Sequence, residues 1–71
     1  METNKEFLIR FGLKVKQNRK KLGISQEELA FRAGFHRTYI GMIERAERNI
    51  TLSNMKRLAD ALQINTKDLF D

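Results

Sequence analysis

Apolar residues recur every three to four positions along most of the chain, and no stretch alternates apolar with polar as a half-buried strand does. From Phe7 to Leu22 the residues Phe7, Leu8, Phe11, Val15 and Leu22 fall on one stripe, which predicts an amphipathic helix. Gly23 follows a Lys-rich last turn, the chemistry of a helix stop. Ser25 stands three residues before Glu28, the spacing of a capping box: the hydroxyl accepts from the third helical N–H and the carboxylate reaches back. Glu27 and Glu28 also suit the positive end of that helix. The helix is short, because Gly34 arrives nine residues after Ser25. A third helical pattern runs through Ile40 and Ile43 to about Arg45. Asn49 or Thr51 caps a fourth, with Leu52, Met55, Leu58, Ala59 and Leu62 along one stripe. Asn65 or Thr66 caps a last turn or two containing Leu69 and Phe70. The expectation is an all-α fold of five short helices.

Two of these helices, within Gln26 to Arg45, are joined by a tight turn. Leu29 and Ala33 face inward from the first, and Ala30 is small where the second must cross closely. Gly34 takes the turn, where a positive φ costs least without a Cβ. Phe35, Ile40 and Ile43 complete the apolar contacts of the second helix. This is the pattern of a helix-turn-helix unit, although an ordinary pair of antiparallel helices shares it.

Composition narrows the function. A chain of 71 residues, 41 % apolar and 32 % charged, should fold as one domain. A second core does not fit, since a chain this short buries only about 60 % of its unfolded surface. With no Cys there is no disulfide, thiolate nucleophile or Cys-based metal site, and the single His36 cannot hold zinc alone. No apolar run approaches the ~20 residues of a membrane span. Met1 opens a charged stretch rather than a signal peptide, so the expected setting is soluble and cytoplasmic. No nucleophile–base pair or carboxylate cluster suggests an enzyme, and no cofactor is expected.

The net charge of +5 is uneven. Residues 1–24 carry seven basic and two acidic groups, hence +5; residues 25–34 sum to −1, 35–50 to +1 and 51–71 to zero. The excess includes Lys14, Lys16, Arg19, Lys20 and Lys21. Such a face suits a polyanion, either nucleic acid or an anionic membrane surface. Lys and Arg are equally ordinary near a helix C-terminus, so charge alone does not choose.

The stretches Val15 to Ala30 (VKQNRKKLGISQEELA), Ile43-Glu44 and Leu58 to Leu62 (LADAL) make the chain resemble the lambda-repressor/Cro-like (Xre-type) helix-turn-helix family, over nearly its whole length. Within that family it looks most like the controller proteins of restriction–modification systems, through His36 to Ile40 (HRTYI), Ile43 to Arg45 and Arg48-Asn49. Asn18 departs from the pattern, which usually has an apolar residue there. The resemblance implies a five-helix, lambda-repressor-like DNA-binding domain over residues 1–71, with its helix-turn-helix unit at 26–45. It makes His36 to Arg45 the recognition helix in the DNA major groove. The side chains agree chemically. Arg37 has the planar fork that pairs with guanine O6 and N7, and Thr38 suits a base edge or a thymine methyl. Tyr39 suits a phosphate or a deformable pyrimidine–purine step, with packing within the domain as the alternative. Met42 can touch a base methyl or be buried.

His36 suits a phosphate or a helix cap. Further phosphate contacts implied by the resemblance fall on Ser25, Gln26, Arg45, Arg48 and Asn49, with backbone N–H groups at the Ser25 helix start. Arg19 and Glu44 occupy the positions of a structural ion pair joining the first helix to the recognition helix. One recognition helix reads few base pairs, so the implied state is a homodimer on a palindromic operator, with half-sites roughly 34 Å apart. Ile64, Leu69 and Phe70 form the candidate dimer patch. The chain stops at Asp71, directly after the last helix, so no ligand-binding domain and no small-molecule ligand are expected. The expected function is a transcription regulator that acts on its own promoter and on a restriction gene. A generic phage-type repressor, an antitoxin with a protein partner and a membrane-surface binder stand as alternatives.

Overall fold

The computed structural model describes residues 5–70. Helix α1 spans Lys5–Lys21, α2 Gln26–Ala33, α3 Arg37–Glu44 and α4 Leu52–Leu62, followed by a 3₁₀ helix at Thr66–Leu69. Among the described residues there is no strand. The fifth expected helix is therefore a single 3₁₀ turn. Its four residues are too few for a ladder of i→i−4 bonds, and short 3₁₀ pieces are the usual solution at that length. The turn is held at its start by the Asn65 backbone N–H donating to the Asp68 carboxylate at 3.1 Å.

Side-chain caps set the helix starts. Ser25 Oγ accepts from the Glu28 N–H at 3.0 Å, and Thr51, not Asn49, does the same for the Asn54 N–H at 3.1 Å. The expected capping box at α2 is made on one side: the Glu28 carboxylate pairs instead with Arg32 at 2.9 Å. All four α-helices end in the same two-bond Schellman motif. At α2 the Gly34 and Phe35 N–H groups reach the Phe31 and Ala30 carbonyls at 3.3 and 2.8 Å. Gly34 takes the left-handed φ of 76° that this ending requires. Ala46 and Gln63 close α3 and α4 in the same conformation, at φ 60° and 63°, with a side chain attached.

Helix α3 packs on α1 and α2, α4 covers α2 and α1, and the 3₁₀ turn closes against α4 and α1. The core between them is formed by Phe11, Val15, Leu29, Ile40, Ile43, Leu58, Leu62 and Leu69. Burial of each of the larger side chains contributes about 1.5–3 kcal/mol. Leu52 begins the α4 stripe by spacing, yet it is 70 % exposed. As the first helical residue it outruns the neighbours that bury Met55, Leu58, Ala59 and Leu62. Helices α1 and α3 cross closely at Gly12, where a Cβ would stand 2.5 Å from the Ile43 carbonyl oxygen. Lys5 adds a tie across the same crossing, its ammonium donating to the Ala46 carbonyl at 2.7 Å. Asn18 returns its amide to the Lys14 carbonyl at 2.8 Å, which satisfies a polar group where an apolar one is usual.

Candidate nucleic-acid interface

Helix α3 divides sharply between its faces. Ile40 and Ile43 are sealed in the core, whereas Arg37 and Thr38 stand exposed on the first turn. His36 is the N-cap residue and makes no side-chain capping bond, so its imidazole serves the surface rather than the helix start. Met42 is half-buried. Ser25 lies exposed at the start of α2. Its oxygen is occupied by the Glu28 N–H, leaving the hydroxyl proton free to be donated outward.

A buried clasp holds the two ends of this face together. Arg19 of α1 donates from Nε to Glu44 Oε2 at 2.7 Å and from Nη2 to Oε1 at 3.1 Å. Its Nη1 donates to the Ile24 carbonyl at 2.9 Å, and Gln26 Nε2 donates to Glu44 Oε1 at 3.0 Å. The Glu44 side chain is 3 % exposed and that of Arg19 11 %. The carboxylate at the end of α3 is therefore the node at which three helices meet. Gln26, a candidate phosphate contact from sequence, uses one of its two amide hydrogens here, which leaves the other and its carbonyl oxygen for a ligand.

Tyr39 is not a freely projecting side chain. Its ring packs on Phe35 with centroids 4.9 Å apart, and its hydroxyl oxygen accepts from Asn54 Nδ2 at 3.1 Å. The guanidinium of Arg48 lies 5.6 Å from the same ring, which draws this loop cation toward α3. Asn49 beside it is exposed. Arg45 donates to Glu47 at 3.1 Å on the open surface. The hydrogen bond and charge of Glu47 raise the Arg45 pKa, and the hydrogen bond from Arg45 holds the Glu47 carboxyl below the usual carboxylate range.

The candidate dimer residues separate. Leu69 is 1 % exposed and belongs to the core, because the 3₁₀ turn folds it under α4. This corrects its assignment to a surface patch. Ile64 is half-buried against the core, and Phe70 is 43 % exposed, stacked on Phe7 at 5.8 Å. Sequence reasoning missed three contributors. Exposed Leu52 overhangs an apolar hollow shared with Ser53, Lys56 and Thr66. Gly12 permits the α1–α3 crossing, and Arg57 reaches from α4 to the helix-turn-helix turn. Neither Gly12 nor Arg57 carries a periodic signal that could have singled it out.

An exposed, polar first turn on a helix locked against a capped partner helix defines a helix-turn-helix protein of the nucleic-acid-binding kind. Residues 15–69 match the Helix-turn-helix family model. Control protein C.BamHI of Bacillus amyloliquefaciens is 50 % identical over 62 residues, covering 86 % of this chain and 76 % of its own. The crystal structure of the restriction–modification controller protein C.AhdI from Aeromonas hydrophila superposes with a TM-score of 0.91. It is 40 % identical and covers 97 % of this chain and 100 % of its own. Controller protein C.Esp1396I, solved as a tetramer in complex with its natural 35 base-pair operator, superposes with a TM-score of 0.83 at 31 % identity. That match covers 90 % of this chain and 84 % of its own. The chain belongs to the helix-turn-helix family of restriction–modification control proteins. Among the described residues no helix is long and apolar enough to cross a membrane.

Proposed function

We propose that this chain is a sequence-specific transcriptional regulator that binds a palindromic operator as a homodimer, controls its own promoter and sets expression of a restriction gene. The observation that carries the reading is the first turn of α3, where Arg37 and Thr38 are exposed on a helix anchored in the core through Ile40 and Ile43. Arg37 reads guanine with its fork, Thr38 meets a neighbouring base edge, and Tyr39 offers a hydroxyl held at a defined height. His36, Ser25, Arg45, Arg48 and Asn49, with what remains of Gln26, set the register on phosphates. Arg19 and Glu44 hold the recognition helix rather than touch DNA.

The operator-bound tetramer of C.Esp1396I supports oligomeric binding. Exposed Leu52 and Phe70, with the free edge of Ile64, supply apolar surface for self-association. Residues 1–71 act as one cytoplasmic DNA-binding domain without catalysis or cofactor, and the level of the protein itself is the signal. Selection of bound sites from random duplex DNA at ~150 mM salt, where nonspecific phosphate binding is weakened, tests this. The expected result is an inverted repeat for the wild type and loss of the preference for one guanine in Arg37→Ala. Recovery of no motif from the wild type refutes the reading.

A further inference from the structure

Helix α4 reaches the turn before α3 and α3 itself through two side chains one turn apart, Arg57 and Asn54. The Arg57 guanidinium donates from Nε and Nη2 to the Ala33 carbonyl at 3.2 and 3.0 Å, and from Nη2 to the Gly34 carbonyl at 2.8 Å. These are the last carbonyls of α2 and of the turn that sets the α2–α3 angle, where a cation is favoured. The same guanidinium lies over Phe35, its Cζ 4.1 Å from the ring centroid. Phe35 packs in turn on Tyr39, whose hydroxyl oxygen is held by Asn54 of α4. Gly34 leaves room for this arrangement: a Cβ there would stand 2.8 Å from Arg57 Nη2.

We infer that Arg57 and Asn54 are positioning residues for DNA reading: Arg57 fixes the turn before α3, and Asn54 fixes the direction in which Tyr39 offers its proton. The second part follows from hydrogen-bond valence. Because the Asn54 amide fills one lone pair of the Tyr39 oxygen, the phenolic O–H remains free to be donated to an acceptor on DNA. The whole chain Arg57–Phe35–Tyr39 aligns the two residues that follow the turn, Arg37 and Thr38, with a groove edge. A shift of that turn misplaces a forked contact while leaving surface charge intact. The inference rests on the regulator reading above.

The test uses full-length protein and two duplexes, one selected by the wild type from a random pool and one scrambled duplex of equal composition. Arg57→Lys keeps the charge and loses the fork and the flat stacking face. The expected result is a specific-to-nonspecific affinity ratio reduced about five- to 150-fold, the worth of one forked base contact. Nonspecific affinity should stay within about twofold, as the phosphate-directed charge is unchanged. Thermal unfolding of each variant establishes that it is folded at the assay temperature. In Asn54→Asp the carboxylate accepts the Tyr39 proton, so the ratio falls in the wild-type background and does not fall further in Tyr39→Phe. An unchanged ratio in folded Arg57→Lys overturns the inference. So does an equal loss on both duplexes with a shallower salt dependence, which makes Arg57 a phosphate contact. An Asn54→Asp loss that persists in Tyr39→Phe overturns the Asn54 role. A wild type that selects no duplex fails the regulator reading instead.

Discussion

The Arg19–Glu44 clasp gives the sharpest stability test. In Arg19→Met the aliphatic stem is retained, but the Glu44 carboxylate stays in place, 3 % exposed, with the Gln26 amide as its remaining hydrogen-bond donor. The cost of leaving one partner of a buried pair uncompensated is about 3–5 kcal/mol. A 71-residue chain has a total stability of about 4–10 kcal/mol, so the variant loses roughly a third of it or more. The Arg32–Glu28 pair on α2 is an internal control, since its side chains are 38 % and 45 % exposed. Arg32→Met should cost under about 0.5 kcal/mol, as exposed i,i+4 pairs do. Replacing both clasp partners by apolar residues, Arg19→Met with Glu44→Leu, should recover most of the loss because no buried charge remains. Urea denaturation followed by circular dichroism reads all four proteins. The reasoning fails if Arg19→Met costs no more than Arg32→Met, or if the double variant is less stable than the single one.

Gly12→Ala should lose about 1–3 kcal/mol in the same assay. The gain of about 1 kcal/mol in helix propensity is outweighed because the new Cβ meets α3 backbone, which has no side chain to turn aside. Gln63→Gly should instead stabilise the protein by about 1 kcal/mol, since Gln63 is exposed and holds a left-handed φ of 63°. A melting temperature that falls would show that the side chain matters more than the backbone there. The Glu47 carboxyl should titrate below an ordinary glutamate in a carboxyl-carbon NMR titration, and Arg45→Ala should return it toward the ordinary value. Because its folded pKa is depressed, the stabilisation it contributes is present above the unfolded glutamate pKa and is lost as pH falls through the folded value. The exposure of both groups keeps that contribution small.

Features that depend on neighbours a few residues away can be read along the chain. The spacing of Phe11 and Val15, or of Leu58 and Leu62, sets which stripe is apolar. Ser25 and Thr51 start helices with their own hydroxyls, and Gly23 and Gly34 stop them without a Cβ penalty. The exposed positions at the start of α3, Arg37 and Thr38, were legible because the apolar positions of that helix fall on Ile40 and Ile43. The controller-type positions came from the likeness of whole stretches rather than from period. The packing of the helices fixes what depends on where separate helices cross. It turned Leu69, a candidate for the dimer patch, into the core while leaving Leu52 out, although Leu52 lies on the α4 apolar stripe. It drew the Gln26 amide onto Glu44, held Tyr39 between Phe35 and Asn54, and brought Arg57 over the turn from 23 residues away. Helical period states which side of a helix is apolar, but not how far the neighbouring helix extends along it or which polar groups the crossing leaves in need of partners.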